Sequence, residues 1–113
     1  MRIAVTAAGG TLGSAVDPRF GRCAYFVLVE TAGQSTRAVA NRHRSADGGA
    51  GAACAQLMID MKVDVLLTGR CGPTAQAVLT AAGIEAVTAR GGTVAGAVNH
   101  FVASGVRKAG TRW

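Results

Sequence analysis

The stretch "VDVLLTGRCGPTAQAVL", residues 63–79, decides the fold. Its first five residues are apolar apart from Asp64, the pattern of a strand buried on both faces of a parallel sheet. Pro73 then suits the first turn of a helix, where its missing N–H would have no partner anyway. Gly83 supplies a stop. A buried strand that passes through a tight turn into a helix is the repeating unit of α/β architecture.

The neighbouring segments extend the pattern in both directions. Downstream, "IEAVTA" (84–89) reads as a strand and "TVAGAVNHFVASG" (93–105) as the last helix, stopped by Gly105. Upstream, "SADGGAGAACAQLMIDMK" (45–62) places Ala50, Ala53, Cys54, Leu57, Met58 and Met61 at helical spacing, with Ser45 or Asp47 as its cap. "RIAVT" (2–6) is a short strand followed by a long glycine-rich loop. "AYFVLVE" (24–30) and "TRAVANR" (36–42) pair as a hairpin across "TAGQS". The order β-β-β-α-β-α-β-α predicts a single three-layer α/β domain with a mixed five-stranded sheet over residues 1–107. Residues 108–113 are expected to form a flexible tail.

Composition narrows the function. The chain has 113 residues, enough for one domain, and is 50% hydrophobic but only 4% aromatic, so Ala, Val, Leu and Ile must build the core. The formal charge is +6, and ten of the twelve basic residues are arginine. Arginine forks suit multi-oxygen or planar anions, although a basic surface can also serve solubility alone. Cys23, Cys54 and Cys71 form no CxxC, and their odd number argues against a disulfide framework. No apolar run approaches membrane-spanning length, and "MRIAVTAAGG" is broken by glycine too early for a signal peptide. The expected setting is a reducing cytoplasm, with no membrane partner.

Chemistry should gather where parallel strands feed helices. Four glycine-rich loops open near that edge: "AAGGTLGS" (7–14), "SADGGAGAAC" (45–54), "TGRCGP" (68–73) and "TARGGT" (88–93). Three lead into helix N-termini, where unpaired N–H groups favour an anion. Gly48, Gly49, Gly51, Arg70, Gly72, Arg90, Gly91 and Gly92 are therefore the candidate binding residues; plain tight turns are the alternative. Arg19, Arg22, Arg42 and Arg44 lie on neighbouring connections. "GGTLGS" lacks the Lys-Ser/Thr of a P-loop, and the dinucleotide fingerprint is incomplete.

Cys71, at a helix N-terminus beside Arg70, is expected to be acidified and able to touch a soft metal, unless it merely fills the turn. His43, between two arginines, is a second candidate ligand or an exposed loop residue. Cys54 shares the apolar helical stripe and belongs to the core; Cys23 fits either role, and His100 reads as structural. No carboxylate pair of a metal-dependent nuclease and no Ser-His-Asp set is visible.

Taken in order, "VDPRFGRCAYFVLVE", "GGAGAACAQLM", "VDVLLTGRCGPTAQAVLTAAGI" and "GGTVAGAV" resemble the nitrogenase iron-molybdenum-cofactor biosynthesis family over most of the chain. The cysteine in "TGRCGP" and the C-terminal tryptophan are similar to its orange-protein branch, carriers of a molybdenum–copper sulfide cluster. The resemblance implies a ribonuclease-H-like fold without the nuclease carboxylates. It also implies a non-catalytic carrier for a non-covalently bound anionic cluster, either molybdenum–copper sulfide or an iron–molybdenum–sulfur precursor. A protein partner would donate or receive that cargo, and nucleic acid is not expected as its ligand. The rival readings are a cofactor-free module docking a protein or nucleic acid through its basic edge, and a cysteine-dependent enzyme using Cys71, for which no base stands nearby in sequence.

Overall fold

Five strands form one mixed sheet in the order β3-β2-β1-β4-β5. The computed structural model describes residues 1–33, 35–45, 48–89 and 91–104. β1 (Arg2–Ala7) lies at the centre, antiparallel to β2 (Tyr25–Glu30) and parallel to β4 (Val65–Thr68). β3 (Ser35–Ala40) closes the hairpin side antiparallel to β2, and β5 (Glu85–Thr88) is parallel to β4. The order of elements is the one read from the sequence, and β4 is buried at all four positions, as its composition requires.

Side-chain alternation along the strands divides the core into two halves. Ala4, Phe26, Leu28 and Leu66 point to one face, which helices α1 (Ala50–Asp60) and α2 (Pro73–Ala81) cover through Cys54, Met58, Ala75 and Leu79. Ile3, Val5, Val27, Val65 and Leu67 point to the other, covered by α3 (Val94–Ser104) through Val94, Val98 and Phe101. These are the three expected layers.

Pro73 begins α2, and Gly83, at φ 78°, ends it: Gly83 N–H bonds the Thr80 carbonyl and Ile84 N–H the Leu79 carbonyl. α1 starts later than the sequence suggests. Its cap position is Gly49, at φ 72°, with no side-chain cap, so Ser45 does not cap it; Asp47 lies outside the described residues, as do Arg90, Gly105 and the 108–113 tail. A short 3₁₀ turn, Phe20–Arg22, interrupts the long first loop and drives Phe20 into the core, 5.9 Å from Phe26 between ring centroids. None of the helices is long and apolar enough to cross a membrane, among the described residues.

Candidate functional site

The glycine loops do open on one edge, where β1, β4 and β5 end, but the chain itself divides that edge. Residues 15–19 run across it like a strap. Val16 N–H bonds the Gly92 carbonyl at 2.9 Å, Asp17 N–H the Thr6 carbonyl at 2.9 Å, and Arg70 N–H the Pro18 carbonyl at 2.6 Å. The Thr6 hydroxyl donates to the Asp17 carbonyl at 2.6 Å and lies 2.9 Å from the Thr68 hydroxyl, all of it buried. On one side of the strap stand the first turns of α1 and α2 with Arg70 and Cys71. On the other stand Gly91, Gly92 and α3.

The two sides differ in what their helices offer. At α3 the amides are already used: Val94 N–H bonds Ser14 O and Ala95 N–H bonds Leu12 O, each at 2.9 Å, and Gly96 N–H bonds the Thr93 hydroxyl at 3.1 Å. The expectation of an open N-terminus after "TARGGT" is therefore not met, because the 7–14 loop folds back to cap it. At α1 and α2 the caps are glycines without side-chain bonds. The N–H groups of Gly51, Ala52, Thr74 and Ala75 have no acceptor among the described residues. These two helix starts adjoin: a Cβ on Gly51 would sit 3.4 Å from the Ala75 Cβ, and one on Gly21 would sit 3.2 Å from the Gly51 nitrogen. Unpaired donors at two neighbouring helix N-termini make one positive concavity.

Arginines rim that side. Arg70 is exposed, and its guanidinium has no partner among the described residues. Arg22 Nη1 donates to the Arg44 carbonyl at 2.9 Å, joining the 3₁₀ turn to the turn at 42–45. Arg19 is offset by Asp17, whose carboxylate takes its Nε at 3.2 Å, its Nη2 at 3.3 Å and its backbone N–H at 3.0 Å. Burial pushes the Asp17 carboxyl up, but these bonds, with the charges of Arg19 and Arg44, outweigh it and hold it below the ordinary carboxylate range.

The three cysteines separate by depth. Cys23 and Cys54 are fully buried, and Cys71 is half-buried against the α1–α2 face. The acidification expected for Cys71 is absent: burial pushes its thiol up. Its neighbour Arg70 turns to solvent, so the charge adjacent in sequence does not act on the sulfur. Cys54 packs in the core as its helical spacing required. His43 sits on the 42–45 turn with its backbone N–H bonded to Asn41 Oδ1 at 3.0 Å. Gly48 and Gly49 lead into the open start of α1. His100 is exposed, lining a groove rather than the core.

That groove lies between α3 and β5. It is a cavity of about 410 Å³ lined by Leu67, Val87, Ala89, Ala97 and Phe101 together with Gly91, Gly92, Thr93 and His100. Its walls are soft and apolar. Among the described residues no three His, Cys, Asp or Glu side chains converge as a metal centre.

One residue the sequence reading passed over is Asn41, placed inside the third strand. The structure ends β3 at Ala40 and turns the Asn41 side chain into the core. The signal was present, since asparagine is poor in strands and apt at turns.

Comparison with known proteins agrees with this architecture. A family model described as dinitrogenase iron-molybdenum cofactor matches residues 1–104. The apo form of the orange protein from Desulfovibrio gigas superposes with a TM-score of 0.89 at 43% identity, covering 96% of this chain and 92% of that one. A Thermotoga protein described as a candidate NifB superposes with a TM-score of 0.81 at 29% identity, covering 99% and 96%. Among curated proteins, none matches.

Proposed function

The chain belongs to the dinitrogenase iron-molybdenum cofactor family, and from that premise we propose that it carries an anionic metal–sulfur cluster, of molybdenum with copper or iron, without catalysing a reaction. The cargo sits over the adjoining starts of α1 and α2. The backbone around Gly48, Gly49, Gly51 and Gly72 supplies N–H donors, and Arg70, with Arg22 and Arg44, supplies charge. Cys71 adds one soft contact from its turn, and His43 is the second side chain within the same rim able to ligate.

The observation that carries this reading is the pair of glycine-capped helix N-termini set beside Arg70, whose amides and guanidinium have no partner among the described residues. A sulfide-bridged cluster is a large, soft anion. Many weak N–H and guanidinium contacts offset its charge while leaving it free to be passed to a protein partner. Gly91 and Gly92 mark a second seat for the same cargo, favoured by one observation, the size and apolar walls of the α3–β5 groove.

Titration of the folded protein with tetrathiomolybdate, with and without copper(I), tests the assignment by amide chemical shifts. The expected result is movement of residues 49–52 and 71–75. Movement confined to 91–101 would shift the cargo to the groove. Scattered or absent changes would remove the carrier reading.

A further inference from the structure

We propose that Asn41 is the positioning residue of the arginine rim, fixing the turn that bears Arg22 against the turn that bears His43 and Arg44. The inference rests on the cargo seat assigned above, but its evidence is a separate hydrogen-bond network beneath that seat.

Asn41 is 7% exposed. A side-chain amide has two N–H donors and an oxygen with two lone pairs, and here all four are engaged. Nδ2 donates to the Gly21 carbonyl at 3.2 Å and to the Cys23 carbonyl at 2.9 Å. Oδ1 accepts the His43 backbone N–H at 3.0 Å and the Cys54 thiol at 3.4 Å. The backbone of Asn41 adds a bond from its N–H to the Ala24 carbonyl at 2.9 Å and one from Arg44 N–H to its carbonyl at 3.3 Å. One side chain thus ties together the 3₁₀ turn, the 42–45 turn and the first turns of α1.

Only glutamine carries the same set, and its extra methylene would not fit the buried position that Asn41 fills. Aspartate lacks both donors and would bury a charge; leucine lacks all four groups and would leave the Cys23 carbonyl without its side-chain partner and the Gly21 carbonyl with only the Cys54 thiol, at 4.0 Å. The Arg22–Arg44 contact is the outer clasp of the same two turns, held at 2.9 Å above the buried clamp. Arg70 is pinned chiefly to the strap, its N–H on the Pro18 carbonyl at 2.6 Å, while its own carbonyl takes the Phe20 N–H of the 3₁₀ turn at 3.1 Å. Asn41 therefore acts directly on the turn that bears Arg22, whereas the strap, which it does not touch, keeps Arg70 in place.

That division gives the test, a pair of double-mutant cycles read as tetrathiomolybdate affinity. Asn41→Ala and Arg22→Gln are each expected to weaken binding roughly two- to fivefold, the scale of one exposed charge. Because Asn41 acts through Arg22, the double variant should bind no more weakly than the weaker single variant. Asn41→Ala combined with Arg70→Gln should multiply the two losses. A residue that only supports the fold would lower the melting temperature and multiply with both arginines, and that result overturns the proposal. Asn41→Ser, whose hydroxyl can still close the turn at His43, replaces Asn41→Ala if the alanine variant does not fold. Failure of both to fold would overturn it too, since Asn41 would then be a requirement of the fold itself. Absence of binding by the unaltered protein would overturn the cargo assignment and this inference together; binding with multiplicative losses overturns this inference alone.

Discussion

Burial lifts all three thiols. Desolvation, followed by the influence of Cys54 and Asp17, pushes Cys23 up to about 12, and desolvation pushes Cys54 up to about 11. Cys71 rises for the same reason but is only half-buried. Since the thiolate is the reactive form, Cys71 should react with Ellman's reagent no faster than a free cysteine at pH 8, and Cys23 and Cys54 should react only after unfolding. Rapid labelling of Cys71 at pH 6 would contradict the raised value. The two buried thiols stay protonated in the folded chain at pH values where the unfolded chain has lost those protons. Their contribution to stability is therefore complete below about pH 8.5, the ordinary thiol value, and declines as the pH rises toward 11–12. Thermal melts across that window should show the decline, and Cys23→Ala should make it shallower. The expected acidification of Cys71 took neighbours in the chain for neighbours in space. An adjacent guanidinium acidifies a thiol only if it turns toward the sulfur.

The strap at residues 15–19 is the element that turns four similar loops into two different half-sites. It is pinned where Gly69 meets Pro18: a Cβ on Gly69 would come within 2.6 Å of the Pro18 Cα and Cβ and 2.8 Å of its carbonyl oxygen. All of these belong to a rigid ring and backbone. Gly69→Ala should consequently destabilise the fold by about 1–3 kcal/mol, the usual effect of overpacking, visible as a lower denaturation midpoint. A neutral Gly69→Ala would mean that the strap lifts freely and that the two halves can merge into one site. The strands and helices were legible in the sequence because apolar period and glycine or proline punctuation act locally, as Pro73 and Gly83 show. The strap was not, since its bonds to Thr6, Arg70 and Gly92 span long separations and its own residues, "AVDPR", carry no period. The capping of α3 by Leu12 and Ser14 was hidden for the same reason, and it removed one of the three helix starts from the candidate site.

Across the whole molecule, charge is sorted by edge. Glu30, Asp64 and Glu85 lie with Arg2 where the parallel strands begin, and Asp60 closes α1 at that same end. Among the described residues only Asp17 remains as an acid at the opposite edge, where Arg19, Arg22, Arg42, Arg44 and Arg70 gather. Such sorting focuses a positive field on the proposed cargo seat and would speed the approach of an anion from a distance. Retention can rest on that field or on a metal–thiolate bond to Cys71, and the two respond differently to salt. Charges on an open rim are screened beyond roughly 8 Å at physiological ionic strength, whereas a bond from sulfur to metal is short-ranged. If the field dominates, Cys71→Ser should release the cargo only partly, Arg70→Gln should release more, and retention of the coloured complex should fall steadily with added salt. If the bond dominates, Cys71→Ser should bleach the protein even at low salt, while the unaltered protein keeps its colour in high salt. The structure favours the first outcome. The Cys71 thiol is pushed away from its ligating thiolate form by burial, and it offers one bond, against four amides and a guanidinium on the same side of the strap that have no partner among the described residues. Complete bleaching of folded Cys71→Ser at low salt would reverse that order and make the thiolate the principal holder.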